Sequence, residues 1–295
     1  MFMEHVETGH FPVLKKQVLF YINLKKGGVY IDATYGRGGH SACLLESEKS
    51  ISLYALDKDM EAVMAARERF RGIDNFKAIH SGFEDIDQVI EREGITRLDG
   101  VIFDIGFSSC QIKDGERGFS FQEEGPIDMR YDRSKPLTAW EIINRWDRNN
   151  LIWIFENYGE INKSRKLADA IIERRKAKKF ESTLELAGFI SEYYGYRKKI
   201  HPATKVFMAL RIAVNDELEA LRKGLDKAGK ALSEKGRLVV ISFHSLEDRI
   251  VKRYMKETPF MKIITKRPVS AEEEELDINP ESRSAKLRAA EKNEE

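Results

Sequence analysis

The stretch that decides the fold reads Val29-Tyr30-Ile31-Asp32-Ala33-Thr34-Tyr35-Gly36-Arg37-Gly38-Gly39-His40. A short apolar run ends at an acidic residue, a glycine-rich turn follows, and Ser41-Ala42-Cys43-Leu44-Leu45 then begins a helical pattern. Glycine allows a tight turn and a close approach of backbone to ligand, while a helix N-terminus presents unpaired N–H groups. Strand, glycine-rich turn and helix in this order predict a nucleotide-binding α/β domain.

The glycine pattern of this turn departs from the dinucleotide-binding fingerprint. That fingerprint has three glycines in the order G-x-G-x-x-G, whereas Gly36 and Gly38 are followed by Ser41 in the third position. An ordinary strand-to-helix turn, with glycines present for geometry alone, is therefore an open alternative.

Apolar segments alternate with helical patterns through the first third of the chain. The predicted strands are Val29–Ala33, Ser52–Leu56, Phe76–His80 and Gly100–Ile105, and the predicted helices are Val13–Leu24, Ser41–Glu48, Asp59–Arg71 and Glu84–Glu93. This alternation predicts a parallel, doubly wound sheet. Strand signals return at 236–243 and at Met261–Thr265.

The middle of the chain has a different pattern. Residues 106–137 are rich in Gly, Ser, Asp and Pro, and residues 137–200 are helical without strand signals. Within them Leu151, Ile154, Phe155 and Tyr158 have the spacing of an amphipathic helix. We therefore predict one α/β domain, residues 1–112 and 201–295, interrupted by an inserted helical domain at residues 113–200.

The composition narrows the class of protein. The 295 residues, 42% of them hydrophobic, suffice for a large buried core. The 50 basic and 49 acidic residues nearly cancel, so the overall charge does not by itself indicate a polyanionic partner. Cys43 and Cys110 lack metal-ligand spacing, so we expect no metal site and no disulfide scaffold. Because no segment resembles a membrane span or a signal peptide, we expect a cytoplasmic protein without a membrane partner.

Basic residues are concentrated in the predicted insertion. Residues 161–200 contain eleven Lys and Arg against five acidic residues, a local net charge of +6. Such a surface attracts phosphate backbones, and Tyr193, Tyr194 and Tyr196 could stack on unpaired bases, which favours an RNA-binding domain. A solvated helix face with tyrosines in the core is the alternative.

An acidic residue closes the second predicted strand at a distance typical of nucleotide-binding domains. Asp57 lies 21 positions after Gly36, where a carboxylate can accept hydrogen bonds from both hydroxyls of a ribose. The alternative is that Asp57 caps the following helix. The glycine turn and Asp57 together do not distinguish a nicotinamide cofactor from S-adenosylmethionine.

The end of the fourth strand bears on that choice. Methyltransferases that act on exocyclic amines place Asp, Asn or Ser, two prolines and an aromatic residue there; Asp104 and Phe107 match, and Ile105-Gly106 replaces the prolines. An amine conjugated with its ring is a poor nucleophile, so an acceptor for its N–H bonds and an aromatic surface for the base assist methylation. The alternative for Asp104 is a loop cap.

Many irregular segments of the chain match one known family. They are His10 to Leu14, Asp32 to Ser41 and residues 104–109, 116–121, 125–130, 201–204, 209–215, 241–249 and 279–284. On these segments the chain resembles the MraW/RsmH family of bacterial 16S rRNA cytosine N4-methyltransferases. The resemblance implies a class I, Rossmann-like methyltransferase sheet with an inserted helical domain. It also implies S-adenosylmethionine as methyl donor and a cytosine near the decoding centre of the small ribosomal subunit as acceptor.

The resemblance also implies roles for individual residues. Asp104 and Phe107 would act on the acceptor base, and Cys110 replaces a proline of the family, with a looser loop as the expected effect. The implied cofactor contacts are Gly38, Gly39, His40, Asp57, Phe83, Asp104 and Gln111.

Other conspicuous residues have a structural interpretation. His244, Ser245, Glu247 and Asp248 include hydrolase-like types, but a Ser cap followed by acidic residues is typical of a helix N-terminus. A role of His244 in a substrate loop is left open. Arg117 and Arg130 are expected to be salt-bridge partners in the irregular segment, with RNA contact as the alternative.

Two other functions fit the same fold. A nicotinamide-dependent oxidoreductase is disfavoured by Ser41 and has no use for Asp104 and Phe107. An RNA-binding assembly factor without turnover is disfavoured by the intact glycine turn, Asp57 and Asp104. The sequence does not determine the oligomeric state, the assembly state of the RNA substrate or the group that takes the proton of the amine.

Overall fold

The computed structural model of the protein describes residues 11–106, 114–195 and 201–293. Contacts between residues divide the chain into two compact units. The first unit combines Met1–Gly106 with Leu218–Glu295, and the second is Phe107–Glu217.

The first unit is built on a seven-stranded sheet. Its strands are β1 (Val29–Asp32), β2 (Ser52–Asp57), β3 (Phe76–His80), β4 (Gly100–Asp104), β5 (Arg237–Ser242), β6 (Met261–Ile263) and β7 (Lys286–Lys292). Their order in the sheet is β3-β2-β1-β4-β5-β7-β6; β1 to β5 are parallel, and β7 runs antiparallel to both neighbours. The predicted doubly wound α/β fold is confirmed, and the arrangement is that of a class I methyltransferase sheet.

Helices cover both faces of this sheet. In chain order they are α1 (Lys15–Ile22), α2 (Gly39–Ser47), α3 (Met60–Arg69), α4 (Ile86–Arg92) and, after the second unit, α10 (Glu217–Ala231), α11 (Ser245–Glu257) and α12 (Glu273–Ile278). Successive strand residues point to opposite faces. Val101 and Phe103 therefore join one hydrophobic core and Ile102 joins the other, which explains why central strands are apolar throughout.

Strand β7 was not predicted. Its sequence, Lys286-Leu287-Arg288-Ala289-Ala290-Glu291-Lys292, is rich in residues that favour helices. It becomes a strand because it pairs with β5 and β6, and because buried Arg288 forms a two-pronged ion pair with Asp248 of α11, at 2.7 and 3.2 Å. These tertiary contacts override local propensity.

The second unit is helical, as predicted. It contains α5 (Ala139–Arg145), α6 (Arg148–Asn157), α7 (Ser164–Ala177), α8 (Thr183–Tyr194) and α9 (Ala203–Asn215). The amphipathic pattern in α6 is confirmed, because Leu151, Ile154 and Phe155 lie in the core of this unit. Within the described ranges, no helix has both the length and the apolar composition needed to cross a membrane.

The boundary between the units differs from the predicted one. Helix α9 was predicted to belong to the α/β domain, which was expected to resume at residue 201. Instead Val206, Leu210 and Val214 bury their side chains in the helical core of the second unit. The contacts therefore place the boundary after Glu217 rather than after residue 200.

Candidate active site

The carboxyl ends of the parallel strands carry the predicted site residues. From β1 the sheet first grows to one side, through β2 and β3, and then to the other side, beginning with β4, so the strand order changes direction at β1. Ligands of open α/β sheets bind at such a switch point, outside the carboxyl ends of the strands. Asp32, Asp57 and Asp104 are the last residues of β1, β2 and β4, and His40 follows on the first turn of α2. These four residues are called the strand-end cluster below.

The glycine turn has a backbone that only glycine adopts easily. Gly36 and Gly38 have φ angles of 55° and 70°, in the left-handed region. A Cβ atom on Gly38 would also lie within 2.5 Å of the ring of Tyr35, so no larger residue fits there. The turn leads directly into α2, whose cap residue Gly38 supplies no side-chain hydrogen bond to the helix N-terminus. The first N–H groups of α2 therefore have no side-chain cap and can donate to a ligand.

Ser41 has a structural role that explains the missing third glycine. Its hydroxyl donates to Oδ2 of Asp32 at 2.7 Å, and the backbone N–H of Thr34 donates to Oδ1 at 3.2 Å. Burial raises the pKa of the Asp32 carboxyl, although both hydrogen bonds act in the opposite direction. Asp32 was not among the predicted site residues; its position at the end of the apolar run was the available signal.

Asp57 holds the glycine turn and does not cap the next helix. Its carboxylate accepts the backbone N–H groups of Gly36 and Asp59, both at 2.8 Å. Helix α3 is capped instead by Asp59, which accepts from the N–H of Glu61. Burial raises the pKa of Asp57 to about 6, against the effect of the two backbone bonds. Each carboxylate oxygen has a further lone pair, which leaves acceptor capacity for ligand hydroxyls.

Asp104 has a fixed backbone and an unused carboxylate oxygen. Its N–H donates to the hydroxyl of Thr34 at 2.6 Å, which ties the end of β4 to the turn after β1. Oδ2 lies 3.4 Å from Nε2 of His40. Oδ1 is buried and accepts no hydrogen bond from the described residues. Buried polar atoms are normally paired, so an unpaired oxygen at a ligand-binding edge indicates an acceptor for a ligand.

Phe83 forms an aromatic surface beyond the end of β3. Its ring packs edge-on against Phe103, with the ring centres 5.5 Å apart, and a Cβ on Gly224 would lie 2.8 Å from it. The Nζ of Lys58 lies 5.3 Å from the ring centre and also pairs with Glu84 at 2.8 Å. The structure therefore holds this ring in place on the same edge of the sheet.

Two predicted site residues cannot be placed in the fold. Phe107 and Gln111, together with Cys110, lie outside the described residues. Their roles remain predictions.

The motif around His244 is a helix cap. His244, rather than the expected Ser245, is the cap of α11: Nδ1 accepts the N–H of Glu247, and the Glu247 carboxylate accepts the N–H of His244 at 3.2 Å. Asp248 pairs with Arg288 instead of a histidine. The structural interpretation of this motif is confirmed, with the cap one residue earlier than predicted.

A second group of polar residues, here called the loop cluster, consists of Arg117, Asp128, Arg130 and Asn215. Arg130 forms a two-pronged ion pair with Asp128 at 2.8 and 2.7 Å, and Arg117 donates to the carbonyl groups of Arg130 and Tyr131, both at 3.1 Å. The amide of Asn215 donates to the carbonyl of Met129 at 2.7 Å. The expected salt-bridge role is confirmed for Arg130, whereas Arg117 holds the same segment through backbone carbonyl groups.

The basic residues of the insertion fall into two groups. Arg174 and Lys178 pair with Glu185, Lys176 pairs with Glu173, and Arg175 donates to backbone carbonyl groups. Four others are exposed and have no ion-pair partner among the described residues: Lys163, Arg165, Lys166 and Lys179, the last of which has its Nζ 5.0 Å from the ring centre of Trp140. Tyr193 and Tyr194 are partly buried against the helical core, and Tyr196 lies outside the described residues.

The chain is similar to known proteins over nearly its whole length. Residues 7–293 match the model of the MraW methylase family. The chain is 45% identical to "Ribosomal RNA small subunit methyltransferase H" of Persephonella marina, over 95% of this chain and 98% of that protein. It is 44% identical to the protein of the same name from a Sulfurihydrogenibium species, over 95% and 97%. A crystal structure of an rRNA methylase from Streptococcus thermophilus aligns with a TM-score of 0.45 and 12% identity, over 95% of this chain and 94% of that one.

Proposed function

The chain belongs to the MraW methylase family, and from this premise we propose that it methylates RNA of the small ribosomal subunit. The proposed donor is S-adenosylmethionine, and the proposed acceptor is the exocyclic N4 amine of a cytosine in the decoding region of 16S rRNA. Because ribosomal RNA is the substrate, we also propose a cytoplasmic location.

The glycine turn, Asp57 and Phe83 fit this donor. Gly36 and Gly38 add no side chains of their own to the turn, and α2 begins there. Asp57 retains lone pairs for the ribose hydroxyls, and the ring of Phe83 offers a flat apolar contact for adenine. When bound, S-adenosylmethionine supplies a methyl group that leaves its sulfur as the C–N bond forms, while the sulfur keeps the electron pair and N4 loses a proton.

Asp104 has the chemistry needed for the acceptor. An N–H bond of the amine, donated to Oδ1, would direct the nitrogen lone pair away from the base and toward the methyl donor. Oδ1 is available because the described residues leave it unpaired, and the bond from Asp104 N–H to Thr34 fixes its backbone. This unpaired oxygen beside the glycine turn is the observation that carries the proposal.

Other parts of the chain would complete the reaction site. Phe107 would hold the extruded base by stacking and Gln111 would contact the methionine end of the donor, as the family resemblance implies. The second unit would bind RNA through the exposed group Lys163, Arg165 and Lys166. No step of the proposed reaction requires a metal ion.

The proposal is tested by methyl transfer to small ribosomal subunits. Purified protein is incubated with donor labelled in its methyl group and with subunits from cells that lack the modification. We expect label in 16S rRNA with the wild type and little label with Asp57→Ala, which lacks the carboxylate that holds the glycine turn. Unlabelled rRNA with a wild-type protein that binds S-adenosylhomocysteine would refute the proposal and favour an assembly factor.

A further inference from the structure

His40 is a buried histidine with an unusual environment. Its side chain is 6% exposed, and neither ring nitrogen makes a hydrogen bond with the described residues. Buried imidazoles normally have a partner, because leaving a buried polar atom unpaired costs about 1–3 kcal/mol. The carboxylate of Asp104 is the charged group that His40 approaches, with Nε2 3.4 Å from Oδ2.

The two oxygens of Asp104 have different surroundings. Oδ2 is the atom near His40, whereas Oδ1 is the buried oxygen that is unpaired among the described residues. The side chain of Asp104 is 24% exposed, so one side of it is accessible to a ligand. The hydrogen bond to Thr34 fixes the backbone of Asp104 but not the orientation of its carboxylate, so a separate contact must set that orientation.

We infer that His40 is a positioning residue: its Nε2–H holds Oδ2 of Asp104, so that Oδ1 faces the amine of the acceptor base. The inference rests on the proposed function for the identity of that amine. A separation of 3.4 Å is long for a hydrogen bond. Such contacts in ligand-free enzymes often shorten only when substrate binds.

The charge of His40 then controls the site. Burial acts to lower the pKa of His40, but the proximity and negative charge of the Asp104 carboxylate, followed by the charges of Asp32 and Glu275, raise it above its ordinary value. These acidic groups come from β4, β1 and α12, and the cation Lys15 of α1 acts on Cys43 of α2. A protonated His40 would draw charge away from Asp104 and weaken it as an acceptor. Activity should therefore rise as His40 loses its proton.

The described part of the chain contains histidines that serve as contrasts. His244 is fixed by the cap of α11. His80 is exposed, and its Nε2 contacts the carbonyl of Lys58 at 2.9 Å. Nε2 of His244 does lie 2.9 Å from Oε1 of Glu247, but this contact stays within the cap of one helix and reaches no strand end. If His40 only filled space in the core, burying its two ring nitrogens without hydrogen bonds would cost folding free energy that an apolar residue would avoid.

The first test measures the ring of His40 in the free protein. Titration by NMR should give a pKa above 6.5 in the wild type and a lower pKa in Asp104→Asn, because the variant lacks the negative charge. A His40 pKa that is the same in both proteins would overturn the inference. This result does not depend on the substrate, so it remains informative even if the proposed function fails.

The second test separates positioning from cofactor binding. His40→Gln keeps an N–H donor at the position of Nε2 but does not titrate, and His40→Leu removes the donor at similar volume. We expect kcat to fall about 10²-fold in His40→Leu and to be largely retained in His40→Gln. The affinity for S-adenosylhomocysteine should fall by a smaller factor than kcat in His40→Leu, because the ring acts on Asp104 in addition to the cofactor contact that the resemblance implies for this position.

The pH profile of kcat gives the decisive comparison. The rise at acid pH should be present in the wild type and in the control His80→Gln, and it should be absent in His40→Gln. The inference would be overturned by an unchanged profile in His40→Gln, or by a loss confined to cofactor affinity in His40→Leu. A wild type that methylates no cytosine amine would refute the proposed function instead.

Discussion

The strand-end cluster and the loop cluster contain similar residues but use them differently. In the loop cluster, Asp128 and Arg130 satisfy each other, and Arg130 holds the pKa of Asp128 below its ordinary value, although burial acts to raise it. In the strand-end cluster, burial raises the pKa of Asp32 and Asp57, and Asp104 keeps an oxygen unpaired among the described residues.

This difference separates a stabilising role from a chemical one. A carboxylate that is fully paired contributes to folding and has nothing left for a ligand. A carboxylate whose charge is desolvated without full compensation costs folding free energy, and that cost is recovered when a ligand binds. The partners of a carboxylate are therefore more informative about function than its residue type or its place in a motif.

The largest expected effect concerns the two aspartates that represent these clusters. Asp104→Asn should lower kcat for methyl transfer about 10²- to 10³-fold without lowering the free energy of unfolding, because it removes an acceptor that folding does not use. Asp128→Asn should instead destabilise the protein by about 2 kcal/mol through its lost charge-assisted bonds. Denaturant unfolding and single-turnover kinetics on both variants check the contrast. A similar loss of activity in both folded variants would contradict it.

The next effect concerns the glycine turn. Gly38→Ala should destabilise the protein by roughly 2–4 kcal/mol, from the left-handed backbone together with overlap with Tyr35. Gly27 is the matched control: its φ is 66°, but a Cβ there would have no neighbour within 4 Å, so Gly27→Ala should show only the backbone cost. Thermal unfolding of both variants measures the difference. Equal destabilisation would mean that the turn can move away from the Tyr35 ring.

A smaller effect is expected from the titration of Asp57. Its pKa is raised to about 6. The ionised carboxylate can accept hydrogen bonds from both ribose hydroxyls, whereas the protonated acid carries a hydrogen on one oxygen and loses acceptor capacity. Affinity for S-adenosylhomocysteine should therefore fall as pH decreases. Between pH 7.5 and pH 5 the expected decrease is about tenfold, since only about one-tenth of Asp57 remains ionised. Calorimetry should show this loss in the wild type and a flatter curve in Asp57→Asn; parallel curves would exclude Asp57 as the cause.

The smallest expected effect lies in the second unit. Lys166 is exposed and has no ion-pair partner among the described residues, whereas Lys176 on the same helix pairs with Glu173 at 2.8 Å. Lys166→Ala should reduce the slope of log affinity for a 16S rRNA fragment against log salt by about 0.7–0.9, and Lys176→Ala should change it less. Fluorescence anisotropy at several salt concentrations measures both slopes. Identical slopes in both variants and the wild type would place the RNA contact elsewhere.

The sequence predicted the parallel core of the sheet and the position of its acidic residues. It did so because both follow from short-range patterns, in which a buried strand ends at an acid and a helix begins. Strand β7 escaped prediction because its pairing partners lie far away in the chain, and its residues favour a helix. Helix α9 escaped assignment to the second unit because its apolar stripe fits either unit until contacts are known.

Within the site, residue identity was predictable and partnership was not. Asp57 and Asp104 stand out by spacing, but the bond between Ser41 and Asp32 depends on how the turn folds back on the strand. The approach of His40 to Asp104 joins a helix start to a strand 64 positions later in the sequence, and no local pattern indicates it. The same holds for the cap by His244, where Ser245 was the better candidate by propensity.

The most direct test of the account is the chemical identity of the methylated nucleoside. Small subunits methylated by the wild-type protein are digested to nucleosides and analysed by mass spectrometry against synthetic standards. The account predicts N4-methylcytidine as the one new methylated nucleoside in 16S rRNA, and almost none of it with Asp104→Asn. Methyl groups on cytosine C5, on a ribose hydroxyl or on another base, or undiminished N4-methylcytidine with Asp104→Asn, would contradict it.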